Sequence, residues 1–466
     1  MINRRQKQLS ISDLLAFSPD GVDAKSLLEP RLRRVDELLD DCELVDQAFE
    51  ILSNRHPQSR RMGRPGTPAE TVLRLLVLKH LLDVSYERLE WEVRGSLAYR
   101  YFARIGMGTV PDAKTMVRLG QLFAGDALRS IFDRIVEIAV EAKATKGRRM
   151  RVDTTVVEAP IRHPTDSDLC EDAIDVARRS VRKLEEAGVD LPFVRTRIGT
   201  SLTRRMREVN QAKRLKKENR EKPLKRAYRG LLKITRKAIK QAKQAAEAAT
   251  EQVRRRRGRL RRTIKRELAK LEKFIPRCEA IVKQTAARVL RGETRSEGKL
   301  VSIFEPETQI LRRGKIHKPT EFGQLVKVQE AEGGIITDID VVNGKNDQPL
   351  LAPSIDRHIE VFEKPPDLAT ADRGFYSNNG IEHANASGVR KVAVPKPGHK
   401  SKERTAFERQ RWFKQARAWR SGGEARISRL KNQFGMRRSR YRGPGNIRRT
   451  AHWAGIANNL MAMAAA

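Results

Sequence analysis

The chain has 466 residues, enough for two or more domains of ordinary size. Its 96 Lys and Arg against 58 Asp and Glu leave a formal net charge of +38, which opposes compaction and attracts polyanions, nucleic acid ahead of anionic membrane. Three cysteines (Cys42, Cys170 and Cys278), odd in number and far apart, suit a reducing compartment and offer no zinc-ligand spacing.

The first ten residues are charged and no apolar stretch follows them, so no secretory signal is expected. The most apolar long window, "TVLRLLVLKHLLDV", is cut by Arg74, Lys79 and His80 and falls short of the roughly 20 residues of a membrane span. A soluble, cytoplasmic, nucleoid-associated protein is expected.

Up to about residue 145 the pattern is one of short helices. "TPAETVLRLLVLKHLL" offers Thr67 as N-cap, Pro68 as a first helical residue and Glu70 as a capping-box acid, with Val72, Leu75, Leu76 and Leu82 near helical spacing. Further helices are predicted from Ser85 and from Pro111–Asp112. Such a string reads either as a helix-turn-helix-like DNA-binding module or as a small bundle that only packs or dimerises. The sequence leaves both open.

A β-branched segment, Val152 to Val157, then predicts a strand that carries one acid, Asp153. From about Asp168 to Arg291 the composition changes. Between Ser201 and Lys270 there are 27 Lys and Arg against 6 Glu, a net charge of +21 in 70 residues. Ala, Leu, Lys, Arg, Glu and Gln dominate there, which predicts long helices with a hairpin near Asn219–Pro223. The apolar spacing (Leu231, Leu232, Ile234, Ala238) predicts helix-on-helix contact without a large core. A solvated, salt-bridged arm would balance its charges. The excess of one sign points instead to contact with phosphate backbone.

Mixed α/β character returns afterwards. "QLVKVQE" and "GGIITDIDVVNG" predict two strands, "DQPLLAPSIDRHIEVFE" a helix with Asp347 near its N-cap, and "DLATADRGFYS" a strand ending in a glycine turn. "RKVAVPKP" predicts another strand, and "GGEARISRLKNQF" and "NIRRTAHWAGIANNLMAMAAA" predict helices. The expected architecture is α/β, an α+β mixed sheet interrupted by a long basic helical insertion and preceded by a small all-α domain. The boundaries are 1–145, 146–168 for the first strand, 169–295 for the insertion and 296–466 for the rest.

Three acids on separate elements, Asp153, Asp372 and Glu424, could converge on one point, as oxygen ligands of hard divalent cations do in phosphoryl transfer. Arg420, Glu424 and Lys431 fall within roughly 40° of one another on a helix, and Ile427, Leu430 and Phe434 form the neighbouring apolar stripe. Gly422 and Gly423 are poor helix residues, which offers a helix start at Glu424 with Arg420 before it. Each observation has a plainer reading. A lone strand Asp is usually a surface or turn residue, and Arg420–Glu424 is equally an i,i+4 surface pair of about 0.3–0.5 kcal/mol. Asp338 and Asp340 are rival ligands, expected on the solvent face of the hairpin. His163 and Asp166 are second-shell candidates, with a turn role preferred.

"RVDTTVVEAPIRHPTDS", "ATADRGFYS" and "GGEARISRLKNQFGMRRSRYRG" resemble, in order, the three acidic blocks of the DDE transposases of bacterial insertion sequences. "TPAETVLRLLVLKHLLDVSYERLEWEVRGS…VPDAKT" is similar to the helical N-terminal domain that many of them carry. The resemblance covers most of the chain except the basic segment. It implies a ribonuclease-H-like catalytic domain with Asp153, Asp372 and Glu424 as catalytic triad and ligands of two Mg²⁺ ions, Mn²⁺ substituting. It also implies a homodimer or larger synaptic complex on double-stranded DNA, both element ends and target, with DNA-end binding and dimerisation assigned to the N-terminal helices. The family's Tyr-x2-Arg-x3-Glu-x6-Lys signature maps onto Arg420, Glu424 and Lys431. The Tyr position is Arg417, a departure, and Trp412 and Trp419 stand nearby as aromatics that could stack on DNA in its stead. Arg417, Trp419, Arg420 and Lys431 are thus the expected DNA-binding residues. The function expected is metal-dependent hydrolysis at insertion-sequence ends and strand transfer of the 3′-hydroxyl into target DNA. The alternative is a non-catalytic DNA-binding protein, such as a transposase remnant or repressor.

Overall fold

β-Branched residues from Val152 to Val157 sit in strand β1 (Arg149–Glu158), the central strand of a mixed sheet. The computed structural model describes residues 3–4, 24–55, 60, 66–193, 198–294, 298–312, 319–342, 344 and 346–465. β1 pairs antiparallel with β3 (Glu321–Ala331), in register from Met150–Ala331 to Glu158–Gly323. On its other side it pairs parallel with β5 (Leu368–Ala371), from Arg149–Leu368 to Val152–Ala371. β5 pairs parallel with β6 (Lys391–Ala393), and β3 pairs antiparallel with β4 (Ile336–Val341). A short β2 (Gln309–Leu311) completes the six strands beside β3.

The period of two along β1 sends alternate residues to opposite faces. Met150 and Val152 join a core with Leu351 and Ile355 of one helix and Ala384 of another. Arg151 and Asp153 point to the other face. Its cover is a long helix, Arg411–Gln433, which lies over β1 and β5. The C-terminal helix, Asn446–Met463, is almost wholly buried and packs on β4 and on the helix Gly125–Glu141.

Contacts divide the chain into two compact units, Met1–Pro160 with Leu311–Ala466, and Ile161–Ile310. The boundary expected near residue 145 therefore does not separate two compact units. Helices α1 (Pro30–Leu38), α2 (Cys42–Ser53), α3 (Ala69–Leu81), α4 (Tyr86–Gly95), α5 (Leu97–Phe102), α6 (Ala113–Gly120) and α7 (Gly125–Glu141) belong to the unit that holds the sheet. The reason lies in α3, whose residues from Ala69 to His80 are all buried. His80 stacks on Trp453 of the C-terminal helix, with ring centroids 4.8 Å apart, and hydrogen-bonds Tyr441. Ser85 and Asp112 cap α4 and α6 as expected, accepting from the amides of Arg88 and Thr115. Thr67 and Glu70 do not cap α3: Pro68 takes the N-cap position, and Glu70 accepts instead from Arg74, a fully buried guanidinium that also binds Asp36 and Asp40.

The second unit contains α8 (Asp166–Glu186), α9 (Ile198–Arg214), α10 (Lys217–Gln252) and α11 (Gly258–Leu290). The expected hairpin turn falls earlier than Asn219–Pro223, at Leu215–Lys216, and those five residues lie inside α10. The unit also has the substantial core that its sequence was read as lacking. Ala173, Ala177, Ala238, Ala242, Ala245 and Ala249 let the helices approach, while Leu184, Leu231, Leu232, Ile264 and Ile281 fill the space between them. Short alanines carry little weight in a hydrophobic pattern, which is why the core escaped notice. Asp166 opens α8 and pairs with Arg288 at 2.8 Å, a structural role rather than one at the carboxylates. Among the described residues no helix is long and apolar enough to cross a membrane.

Candidate active site

Asp153 lies in mid-strand, anchored by its own ladder. Its Oδ1 accepts from the Thr154 amide at 2.7 Å. The last parallel pair between β1 and β5 is Val152–Ala371, so Asp153 and Asp372 follow it side by side. Adjacent strands run about 4.8 Å apart. Asp372 is still extended (φ −70°, ψ 162°) and caps the 3₁₀ turn Arg373–Phe375, accepting from the Arg373 amide at 2.6 Å. Each carboxylate thus follows the last registered pair by one residue, Asp153 inside β1 and Asp372 just beyond the end of β5.

The third acid comes from the long helix. With α12 (Leu351–Phe362), α13 (Asn378–Ala386) and α14 (Lys402–Arg409) preceding it, Arg411–Gln433 is α15 and Asn446–Met463 is α16. α15 runs unbroken through Gly422 and Gly423, so the helix start read at Glu424 is corrected. A Cβ at Gly422 would lie 2.7 Å from Nη1 of Arg151. The glycines leave room for that guanidinium against the helix backbone, where it donates to the Trp419 carbonyl at 2.6 Å. Arg420 is consequently helical, with Glu424 one turn on. Its Nη1 donates to Asp153 Oδ2 at 3.4 Å and its Nη2 to Glu424 Oε1 at 3.1 Å. The guanidinium thus bridges a carboxylate 22% exposed and one 69% exposed.

Beneath this bridge lies a second layer that the sequence did not disclose. Glu330, opposite Arg151 in the β1–β3 ladder, is buried and accepts from Arg151 Nε at 2.9 Å and Nη2 at 2.7 Å. It also accepts from Arg426 Nε at 3.1 Å, and Arg426 donates onward to Asn458 of α16 at 3.1 Å. One carboxylate therefore ties α15 to both central strands, two residues from Glu424. The available signal was the spacing: Arg151 precedes Asp153 by two on a strand, and so shares its face. On the opposite face Asp347 takes the N-cap position of the 3₁₀ turn Gln348–Leu350 that leads into the following helix, near where it was expected. Its side chain accepts from Thr154 Oγ1 at 2.9 Å without making a capping bond.

Of the other expected residues, Lys431 is half-buried seven residues along α15 from Glu424, and Arg417 is exposed. Trp419 lies under the Arg151 guanidinium at 4.8 Å from its ring centroid. The rival pair is not on a solvent face. Asp338 is buried and receives Arg129 and Lys327, each at 2.7 Å, while Asp340 receives Arg448 at 3.0 Å. Burial alone would raise the Asp338 pKa, but Lys327 and Arg129 outweigh it and hold the group below its ordinary value. Packing of α7 and α16 on β4 covers these acids and makes them structural. Among the described residues no three His, Cys, Asp or Glu side chains stand together as a metal-holding group. With Arg420 in place, Glu424 is held by a cation of the chain itself.

Comparison with known proteins adds a further observation. The family described as "Transposase domain (DUF772)" matches residues 21–121. The match is to a transposase-type domain. It spans helices α1 to α6, the ones that pack into the same unit as the sheet. The chain is also 28% identical over 160 residues to a Rhizobium meliloti protein described as "Uncharacterized protein ORF8 in nfe locus", covering 33% of this chain and 76% of that one. No solved structure matches the chain. The transposase-type domain points to a transposition-related function with DNA as partner.

Proposed function

We propose that this protein is a DNA transposase of the DDE class, with Asp153, Asp372 and Glu424 as its catalytic carboxylates in a ribonuclease-H-like domain. The observation that carries the reading is the Arg420 bridge between Asp153 and Glu424, with Asp372 one residue beyond the last registered β1–β5 pair, as Asp153 is. The strand order β4–β3–β1–β5–β6, two antiparallel pairings followed by two parallel ones, supports the fold assignment.

The three acids offer only hard oxygen donors, the set that Mg²⁺ favours, with Mn²⁺ as a substitute. Seating of the Arg420 guanidinium between two of them supports that fit, because positive charge is accommodated there. What the metal supplies when bound is Lewis-acid polarisation of phosphate oxygens and acidification of water. The chain's own residues do the positioning. β1 fixes Asp153, the turn after β5 fixes Asp372, and Glu330 fixes the helix that carries Glu424. Asp153, Asp372 and Glu424 would hold the metal, and Arg420 and Lys431 would hold phosphate oxygens by charge-assisted hydrogen bonds. The chemistry is hydrolysis of a phosphodiester at the element end, then attack of the released 3′-hydroxyl on a target phosphodiester. It needs positioning and electrostatics without a covalent protein intermediate. The N-terminal helices bind the DNA ends and dimerise, and the basic helices of the second unit contact backbone phosphates without reading bases. Two element ends require a dimer or larger assembly.

The test uses DNA flanking the reading frame, with Mg²⁺, and compares wild type with Asp153→Asn for new 3′ ends and joined strands. Cleavage at the element boundary by wild type only, with binding retained by the variant, is the expected result. Equal cutting by both removes Asp153 from the mechanism. Binding of both ends without cutting by wild type favours a repressor or remnant.

A further inference from the structure

A cavity of about 460 Å³ opens at the N-terminal ends of β1, β5 and β6, under the first half of α15. Its walls include Arg148, Arg149, Arg390 and Lys391 together with Trp412 and Trp419. The one carboxylate in the lining, Asp367, is spent on Arg390 at 2.6 Å. Among the described residues no carboxylate pairs with the side chains of Arg148, Arg149 or Lys391, although the Glu332 carboxylate accepts from the Arg148 and Arg149 amides at 2.9 and 3.1 Å. Lys391 stands 5.7 Å above the Trp412 ring. Cations that lack acids select an anion, and two indoles select a flat aromatic body. A nucleotide carries both.

We infer that this cavity is a binding site for an unpaired nucleotide of DNA, its base against the indoles and its phosphates on Arg148, Arg149 and Lys391. The inference rests on the transposase reading and deepens it by naming the form of DNA taken up. In a duplex the base faces meet only one another, so an indole reaches one only where pairing is broken; stacking of this kind contributes about 1–3 kcal/mol per base. The volume lies within the roughly 300–1,000 Å³ of small-ligand sites and suits one nucleotide rather than a duplex. Position agrees. Arg149 and Asp153 are four residues apart on one strand, about 13 Å, and Trp419 adjoins Arg420 in α15. A strand leaving the carboxylates along β1 therefore meets the cavity next.

Tryptophan emission reads the site directly, since Trp412 and Trp419 are two of four tryptophans, Trp453 is buried and Trp91 is exposed. Full-length protein carrying Trp91→Phe is titrated with a labelled single-stranded oligonucleotide, its duplex, an abasic strand of equal length, tripolyphosphate and dAMP. Label anisotropy reports binding of the three DNA ligands. The expected result is quenching by the single strand and none by duplex, abasic strand or tripolyphosphate, with dAMP at least a hundredfold weaker than the strand. Arg149→Glu and Lys391→Glu should each weaken the quenching interaction at least tenfold without lowering Tm, and Trp412→Phe, which keeps the packing on Phe413, should reduce the amplitude. Equal quenching by duplex, abasic strand or tripolyphosphate overturns the inference, as does dAMP binding as tightly as the strand. Single-strand binding without quenching overturns the cavity while leaving the transposase reading intact. Absence of binding to any DNA overturns both.

Discussion

Arg151 and Glu330 face each other across the β1–β3 ladder and form a two-pronged ion pair in which both partners are largely withdrawn from solvent. Charges in such a place are tolerated only while matched, and Glu330 matches Arg426 as well. Glu330→Ala strands two guanidinium groups and should cost about 3–5 kcal/mol. All four tryptophans belong to the unit that contains the sheet, so fluorescence-detected urea unfolding isolates that unit. A loss below about 1 kcal/mol would mean that solvent or a neighbour replaces Glu330.

The two helical glycines should respond with opposite signs. Alanine in a helix interior ordinarily gains about 0.5–1 kcal/mol over glycine. At Gly423 the added Cβ meets Arg151 no closer than 3.6 Å, so Gly423→Ala should stabilise. At Gly422 it meets Nη1 at 2.7 Å, and that guanidinium is fixed by Glu330, the Trp419 carbonyl and the Trp419 ring. Gly422→Ala should therefore destabilise in the same urea experiment. Matching gains at both positions would show that Arg151 moves freely.

Arg420 supplies the positive charge between Asp153 and Glu424. Replacing it by glutamine leaves Asp153 and Glu424 without their shared countercharge. Under the proposed function, Mn²⁺ should then raise Tm more in Arg420→Gln than in wild type, by linkage of binding to folding. The same variant should cut DNA more slowly, having lost a phosphate contact. Identical Mn²⁺ shifts in both proteins would detach Arg420 from any metal site.

Lys79 carries the pH prediction. Burial, with Arg440 and Arg449 nearby and only Asp83 opposing, pushes its ammonium down to about 8. The unfolded lysine titrates near 10.4, so between these values the unfolded chain holds the extra proton, and stability rises with pH across that window. Below pH about 8 the lysine is charged in both states and the contribution is flat. Lys79→Met should remove a rise on the order of 2–3 kcal/mol from the pH 8–10.5 profile. An unchanged difference between variant and wild type across that range would exclude a titrating Lys79.

Much of the fold was legible where its causes are local. The caps at Ser85 and Asp112 and the strand around Asp153 depend on neighbours in sequence. What escaped depends on partners far away. Glu70 looks like a capping acid until Arg74 is seen to gather Asp36 and Asp40. Asp338 looks solvent-facing until Arg129 of α7 arrives. Gly422 and Gly423 look like a helix start because their propensity is poor, whereas the arginine they admit is about 270 residues away in the chain, a tertiary override of a local preference. At the site, the order of the three acids was legible. Half of the Arg420 bridge was legible too, as the i,i+4 pair with Glu424; the other half, to Asp153, was not, since it joins a helix to a strand distant in the chain.

The ladder between β1 and β3 has one more consequence. Glu158 pairs with Gly323, and the Ala159 amide donates to the Phe322 carbonyl at 3.0 Å, so everything between them closes as the loop of a single hairpin. Loop closure depends only logarithmically on length, each doubling adding about 0.6 kcal/mol. A unit that folds on its own core shortens the effective loop further during folding. The length of chain carried between β1 and β3 therefore weighs little on their pairing, and the β1–β5 register that ends just before Asp153 and Asp372 is independent of it.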